Sequence, residues 1–168
     1  MLHASAGPPD RCLMPFHASG DVTRPSRLRT LVGPEFRLLS GDDLLGLAFL
    51  AQGGDGCISV TSNVAPGLCR NMFLAWKQGP LARAQRLALP IARLTAALFC
   101  ETNPVPLKYA LSLLGLMSPE VRLPLVELSD QFKLEVATTL AELCDVYSES
   151  MIGKIGGPVR ASHRAMVG

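Results

Sequence analysis

The spacing of apolar residues changes character near residue 80. Before it, short apolar runs alternate with helix-spaced ones, and glycines punctuate each change. Phe36 to Leu39 reads as a short buried strand ending in Ser40-Gly41. Asp42-Asp43 then offer carboxylates to the free N–H groups of a helix start, where the positive dipole end also favours them. Leu44, Leu45, Leu47, Ala48 and Leu50 carry that helix until Gly53-Gly54 stops it. Cys57-Ile58-Ser59-Val60 reads as a second strand, and Asn63-Val64-Ala65-Pro66 leads into a helix reaching about Trp76. After Gly79-Pro80 every segment reads helical. Residues 81–99 form a long amphipathic stretch with Arg83, Arg86 and Arg93 at helical intervals. Asn103-Pro104 starts a helix over residues 106–116, and residues 131–147 form the last one.

The order strand, helix, strand, helix, then helices alone implies an α/β chain with a parallel strand pair and a helical appendix. Two parallel strands cannot cover both their faces and their edges, so they belong in a larger sheet. Four regions are expected: an irregular lead over 1–17, a strand-bearing segment over 18–79, a helical domain over 80–147 and a loose basic tail over 148–168. Thr23 or Asp21 is the expected cap of a short helix early in the second region.

Composition narrows the function classes. With 168 residues and 48% hydrophobic content, the chain can build a core. A net charge of +2 gives no reason to expect a nucleic-acid or membrane partner. Five cysteines, Cys12, Cys57, Cys69, Cys100 and Cys144, form no C-x-x-C pair, which points to reduced thiols in a cytoplasmic protein. No run reaches the roughly 18 apolar residues of a membrane helix, and no signal peptide is evident. His3, His17 and His163 lie in the two ends, so neither a metal cluster nor a catalytic triad is expected.

Three segments carry a resemblance. Phe36-Arg37-Leu38-Leu39-Ser40-Gly41-Asp42-Asp43, with Gly53-Gly54-Asp55-Gly56-Cys57-Ile58-Ser59-Val60-Thr61-Ser62-Asn63-Val64-Ala65-Pro66, resembles the last two barrel strands of the dihydrodipicolinate synthase family. Leu98-Phe99-Cys100-Glu101-Thr102-Asn103-Pro104-Val105-Pro106-Leu107-Lys108-Tyr109-Ala110-Leu111 is similar to that family's helical segment, and Arg122-Leu123-Pro124-Leu125 to its following turn. The resemblance implies the last two βα units of a (β/α)8 TIM barrel followed by an α-helical C-terminal domain, and membership of a homo-oligomer. It implies a lyase that condenses pyruvate with an aldehyde, aspartate semialdehyde in this branch, through a lysine Schiff base in lysine biosynthesis. N-acetylneuraminate lyase and keto-deoxy-sugar aldolases share the scaffold and stand as alternative branches. No cofactor is implied. By resemblance, Gly41 and the main-chain carbonyl of Ile58 belong to the pyruvate pocket; Gly41 would let the backbone approach a ligand at a strand mouth.

The departures matter as much. The chemistry needs an amine that is unprotonated often enough to attack a ketone, yet the first lysine is Lys77. Ala18-Ser19-Gly20-Asp21 resembles the family segment just after the Schiff-base lysine. That alignment sets Phe16 at the lysine and His17 at the next, acidic position, and phenylalanine cannot form an imine. Residues 1–17 are therefore expected to be foreign to the barrel, and the chain to be a truncated one, inactive alone and poorly soluble through its open strand edges. Lys77, Lys108, Lys133 and Lys154 make no better nucleophiles, Lys108 being a surface or inter-helix charge. Ser59 and Thr61 could present polar groups at the strand end, and Asn63 either does so or shapes a turn. Two rival readings are a split enzyme whose front is supplied by another chain, and a helical module that associates with a full-length homologue.

Overall fold

The computed structural model describes residues 16–17 and 20–147. The contacts divide the chain into two compact units, one ending at Ile58 and the other beginning at Ser59.

The first unit holds three two-residue strands and two helices. They follow the order β1 (Phe16–His17), α1 (Arg24–Val32), β2 (Leu39–Ser40), α2 (Gly46–Ala51) and β3 (Gly56–Cys57). The strands form one parallel sheet in the order β1-β2-β3. Phe16 is level with Leu39, and Leu39 with Gly56; His17, Ser40 and Cys57 make the next row. Phe16 and His17 therefore do not belong to an irregular lead, because their backbone joins the sheet. The two expected strands are shorter than their apolar runs. Phe36 sits in a bend and Ser59-Val60 lie beyond the paired stretch, although the Ile58 N–H still donates to the Ser40 carbonyl at 2.7 Å.

Local turns explain where the helices begin. Asp21 accepts from both the Thr23 N–H (2.9 Å) and the Thr23 hydroxyl (2.7 Å), so it shapes the turn before α1 and neither residue caps the helix through its side chain. Pro25 sits in the first turn of α1, where its missing N–H leaves no intrahelical bond unmade. Asp42 Oδ1 accepts from the Leu44 N–H at 2.9 Å, which makes a turn ahead of α2, and the helix itself starts only at Gly46. Gly53, at φ +90°, turns the chain out of α2 in the left-handed region that favours glycine.

The second unit is helical: a 3-10 turn (Thr61–Asn63), then α3 (Pro66–Gln78), α4 (Leu81–Leu98), α5 (Val105–Leu113) and α6 (Asp130–Val146). Helix α3 packs on α4, which packs on α6, and α5 also packs on α6. The spacing of the buried positions explains this. Leu68, Met72 and Ala75 line one face of α3; Ala84, Ile91, Leu94 and Leu98 line one face of α4; Val136, Leu140 and Leu143 line one face of α6. Arg83, Arg86 and Arg93 stay on the exposed face of α4. The break between units falls after Ile58 and not after Gly79, because the apolar face of α3 is buried with the helices that follow it. The expected tail lies outside the described residues.

Candidate functional site

The site begins with the C-terminal ends of β2 and β3. Gly41 and Ile58 each directly follow a strand, and the Ile58 N–H to Ser40 carbonyl bond holds those two ends together. Ser40 is buried, and its hydroxyl oxygen accepts from the Asp42 N–H at 3.0 Å, which folds Gly41 back over the strand end. Ile58 is 44% exposed, so a hydrophobic residue stands open at this end of the sheet. Asp43 lies nearby and accepts a weak bond from the Cys57 thiol at 3.8 Å. Asp42 thus shapes a turn and Asp43 meets the Cys57 thiol; the expected capping of α2 is not found, because the helix starts at Gly46 with Leu45 at its N-cap.

A charged cluster that the sequence reading did not find sits at the opposite ends of the same strands. Asp55 Oδ2 accepts from the Leu38 N–H and from the Arg29 guanidinium, each at 2.8 Å, and Oδ1 accepts from Arg37 at 3.1 Å. The Asp55 N–H in turn donates to the Leu38 carbonyl at 2.8 Å. Arg29 also donates to the carbonyls of Gly33, Pro34, Phe36 and Gly53. Burial pushes the Asp55 carboxyl up, but the bonds from Leu38, Arg29 and Arg37 outweigh it and hold the group below its ordinary range. This cluster fixes how β3 lies against β2, and so keeps Gly41 and Ile58 level. The signal available in the sequence was an aspartate between glycines, with two arginines upstream, and nothing in their spacing joins them.

The other polar candidates are structural. Thr61 is fully buried, and its hydroxyl shares a 2.7 Å bond with that of Thr95 on α4. Ser59 Oγ accepts from the Ser62 N–H at 2.8 Å, while the Asn63 side-chain amide donates to the Val60 carbonyl at 2.9 Å. Asn63 therefore shapes a turn. Lys77 is exposed, Lys108 donates to the Glu120 carbonyl, and Lys133 donates to the Asp130 carboxylate, a bond that pushes its ammonium up, the reverse of what imine formation needs. Lys154, Cys12, His3 and His163 lie outside the described residues. The remaining cysteines, Cys57, Cys69, Cys100 and Cys144, are reduced, and burial pushes the Cys100 thiol up. Among the described residues no group of His, Cys, Asp and Glu is placed to hold a metal ion, and no helix is long and apolar enough to cross a membrane.

The model of the Dihydrodipicolinate synthetase family matches residues 16–143. The chain belongs to that family. A 4-hydroxy-tetrahydrodipicolinate synthase of Rhodospirillum centenum is 55% identical over 109 residues, covering 65% of this chain and 38% of the relative. The solved 4-hydroxy-tetrahydrodipicolinate synthase of Methylacidiphilum fumariolicum SolV superposes with a TM-score of 0.76 at 37% identity, covering 80% of this chain and 45% of that one. The chloride-inhibited dihydrodipicolinate synthase of Acinetobacter baumannii, complexed with pyruvate, gives a TM-score of 0.68 at 36% identity, covering 73% and 42%. The chain thus spans less than half the length of these relatives. It shares the fold of the dihydrodipicolinate synthases in a helix-rich, sheet-poor form. The family match takes in Phe16 and His17, so family-like sequence begins before Ala18, where the motif reading had set its return.

Proposed function

We propose that this chain supplies the C-terminal strands and helices of a 4-hydroxy-tetrahydrodipicolinate synthase-type lyase, which condenses pyruvate with aspartate semialdehyde, and that it forms no pyruvate imine by itself. Gly41 and the Ile58 main-chain carbonyl are its contribution to the pyruvate pocket. What carries the reading is Phe16. It lies on a strand in parallel register with Leu39, and the resemblance of Ala18-Ser19-Gly20-Asp21 to the family segment after the Schiff-base lysine sets it at that lysine's position. An imine needs a primary amine whose lone pair attacks the ketone carbon, with water leaving afterwards. A benzyl side chain has no such lone pair. The pyruvate complex of the Acinetobacter relative supports pyruvate as the ligand class, and the names of the relatives support this branch over the sugar aldolases.

Borohydride trapping tests this reading directly. The purified chain is incubated with pyruvate and sodium borohydride, which reduces an imine to a stable secondary amine, and its intact mass is measured. The expected result is an unchanged mass, beside a modified full-length synthase treated in parallel. A pyruvyl adduct on Lys77, Lys108, Lys133 or Lys154 would overturn it.

A second reading rests on a separate observation. Among the described residues β1 and β3 each pair on one side only, so the sheet offers two open edges to further strands. A second chain bearing the preceding strands and a lysine would complete the barrel and restore the chemistry. Mixing this chain with the front portion of a relative distinguishes the two. Under the second reading an adduct appears on the added fragment, and only in the mixture. If neither component is modified in the mixture, complementation fails.

A further inference from the structure

We draw no further inference here: the strongest candidate, the groove of about 580 Å3 between α4 and α6 lined by Leu89, Pro90, Arg93, Glu142, Val146 and Tyr147, is an unpartnered apolar face whose Arg93–Glu142 ion pair closes on itself, and nothing in the structure shows what covers it.

Discussion

The strand unit and the helical unit are stabilised by different means. From Ser59 onward, long helices bury regular apolar faces, and the fully buried side chains there include Leu68, Leu94, Leu98, Leu114 and Leu140. Up to Ile58 the strands are two residues long, and β3 is tied to β2 by a carboxylate that holds two arginines and a backbone N–H. Burial of apolar area does not depend on ionisation, whereas a charge cluster does and is also screened by salt. The candidate pocket residues Gly41 and Ile58 lie in the unit of the second kind. Their placement therefore answers to electrostatics more than to core volume.

The largest effect is expected from the helical unit. Leu94 is fully buried on the inner face of α4, and Leu94→Ala removes its outer methyl groups and leaves a cavity. Such truncations cost about 2–5 kcal/mol, which is a large share of a small domain's stability. Urea unfolding followed by far-ultraviolet circular dichroism should show a clearly lower midpoint. A midpoint within error of the parent would break the comparison, because α4 would then not be the packed centre of its unit.

Next comes an overpacking test in the strand unit. A β-carbon on Gly54 would sit 2.1 Å from Phe49 Cδ1 and 2.8 Å from the Phe49 carbonyl oxygen. Phe49 is itself buried and the carbonyl is backbone, so neither gives way freely. Gly54→Ala should destabilise by about 1–3 kcal/mol, the usual range for a forced shift in packed structure. The readout is faster hydrogen exchange at the Asp55 and Ile58 amides, both of which donate to β2 carbonyls or their neighbours. Unchanged exchange there would show that the turn before β3 is looser than its contacts indicate.

Asp55 sharpens the contrast through pH. Its folded carboxyl titrates below the unfolded value of about 3.9. The unfolded chain therefore takes up the proton first as pH falls. The stabilisation is complete above the unfolded value and is lost as pH drops through the lower, folded one. Acid should open the Leu38, Asp55 and Ile58 amides, and Asp55→Asn should remove that acid dependence while costing about 1–3 kcal/mol at neutral pH. Equal acid sensitivity in parent and variant would assign the effect to another carboxylate.

How much of this was legible in sequence follows the same division. The boundaries of α3, α4 and α6 fell within a few residues of expectation, because buried positions three and four apart announce a helix without knowledge of its partner. Gly41, expected at a strand mouth by motif resemblance, lies directly after β2, whereas Ile58, expected inside the second strand, lies just beyond β3. The strand limits were not legible, since pairing to a neighbour and not apolar content decides where a ladder stops. Nor was the Asp55 cluster: its partners stand 26, 18 and 17 residues away, and only the fold brings them together. Phe16 shows the opposite failure. Its expected place in a foreign lead rests on the missing lysine in the motif alignment, whereas strand pairing and the family match include it.

The smallest expected effect comes from the one buried polar pair in the helical unit among the described residues. Thr61 and Thr95 share a hydrogen bond across 34 residues of sequence, and Thr95 can also donate to the Ile91 carbonyl at 2.8 Å. Thr95→Val keeps the shape but leaves the Thr61 hydroxyl facing a methyl group. That should cost about 1–2 kcal/mol through loss of the shared hydrogen bond. Thr61→Val removes the same bond, while Thr95 keeps the Ile91 carbonyl as an acceptor. In the double variant no hydroxyl remains to be satisfied, so the summed single losses should exceed the double loss. Denaturation of all four proteins measures that coupling. Strict additivity would mean that the hydroxyl pair contributes nothing of its own, and that the helical unit is held by apolar packing even where it buries oxygen.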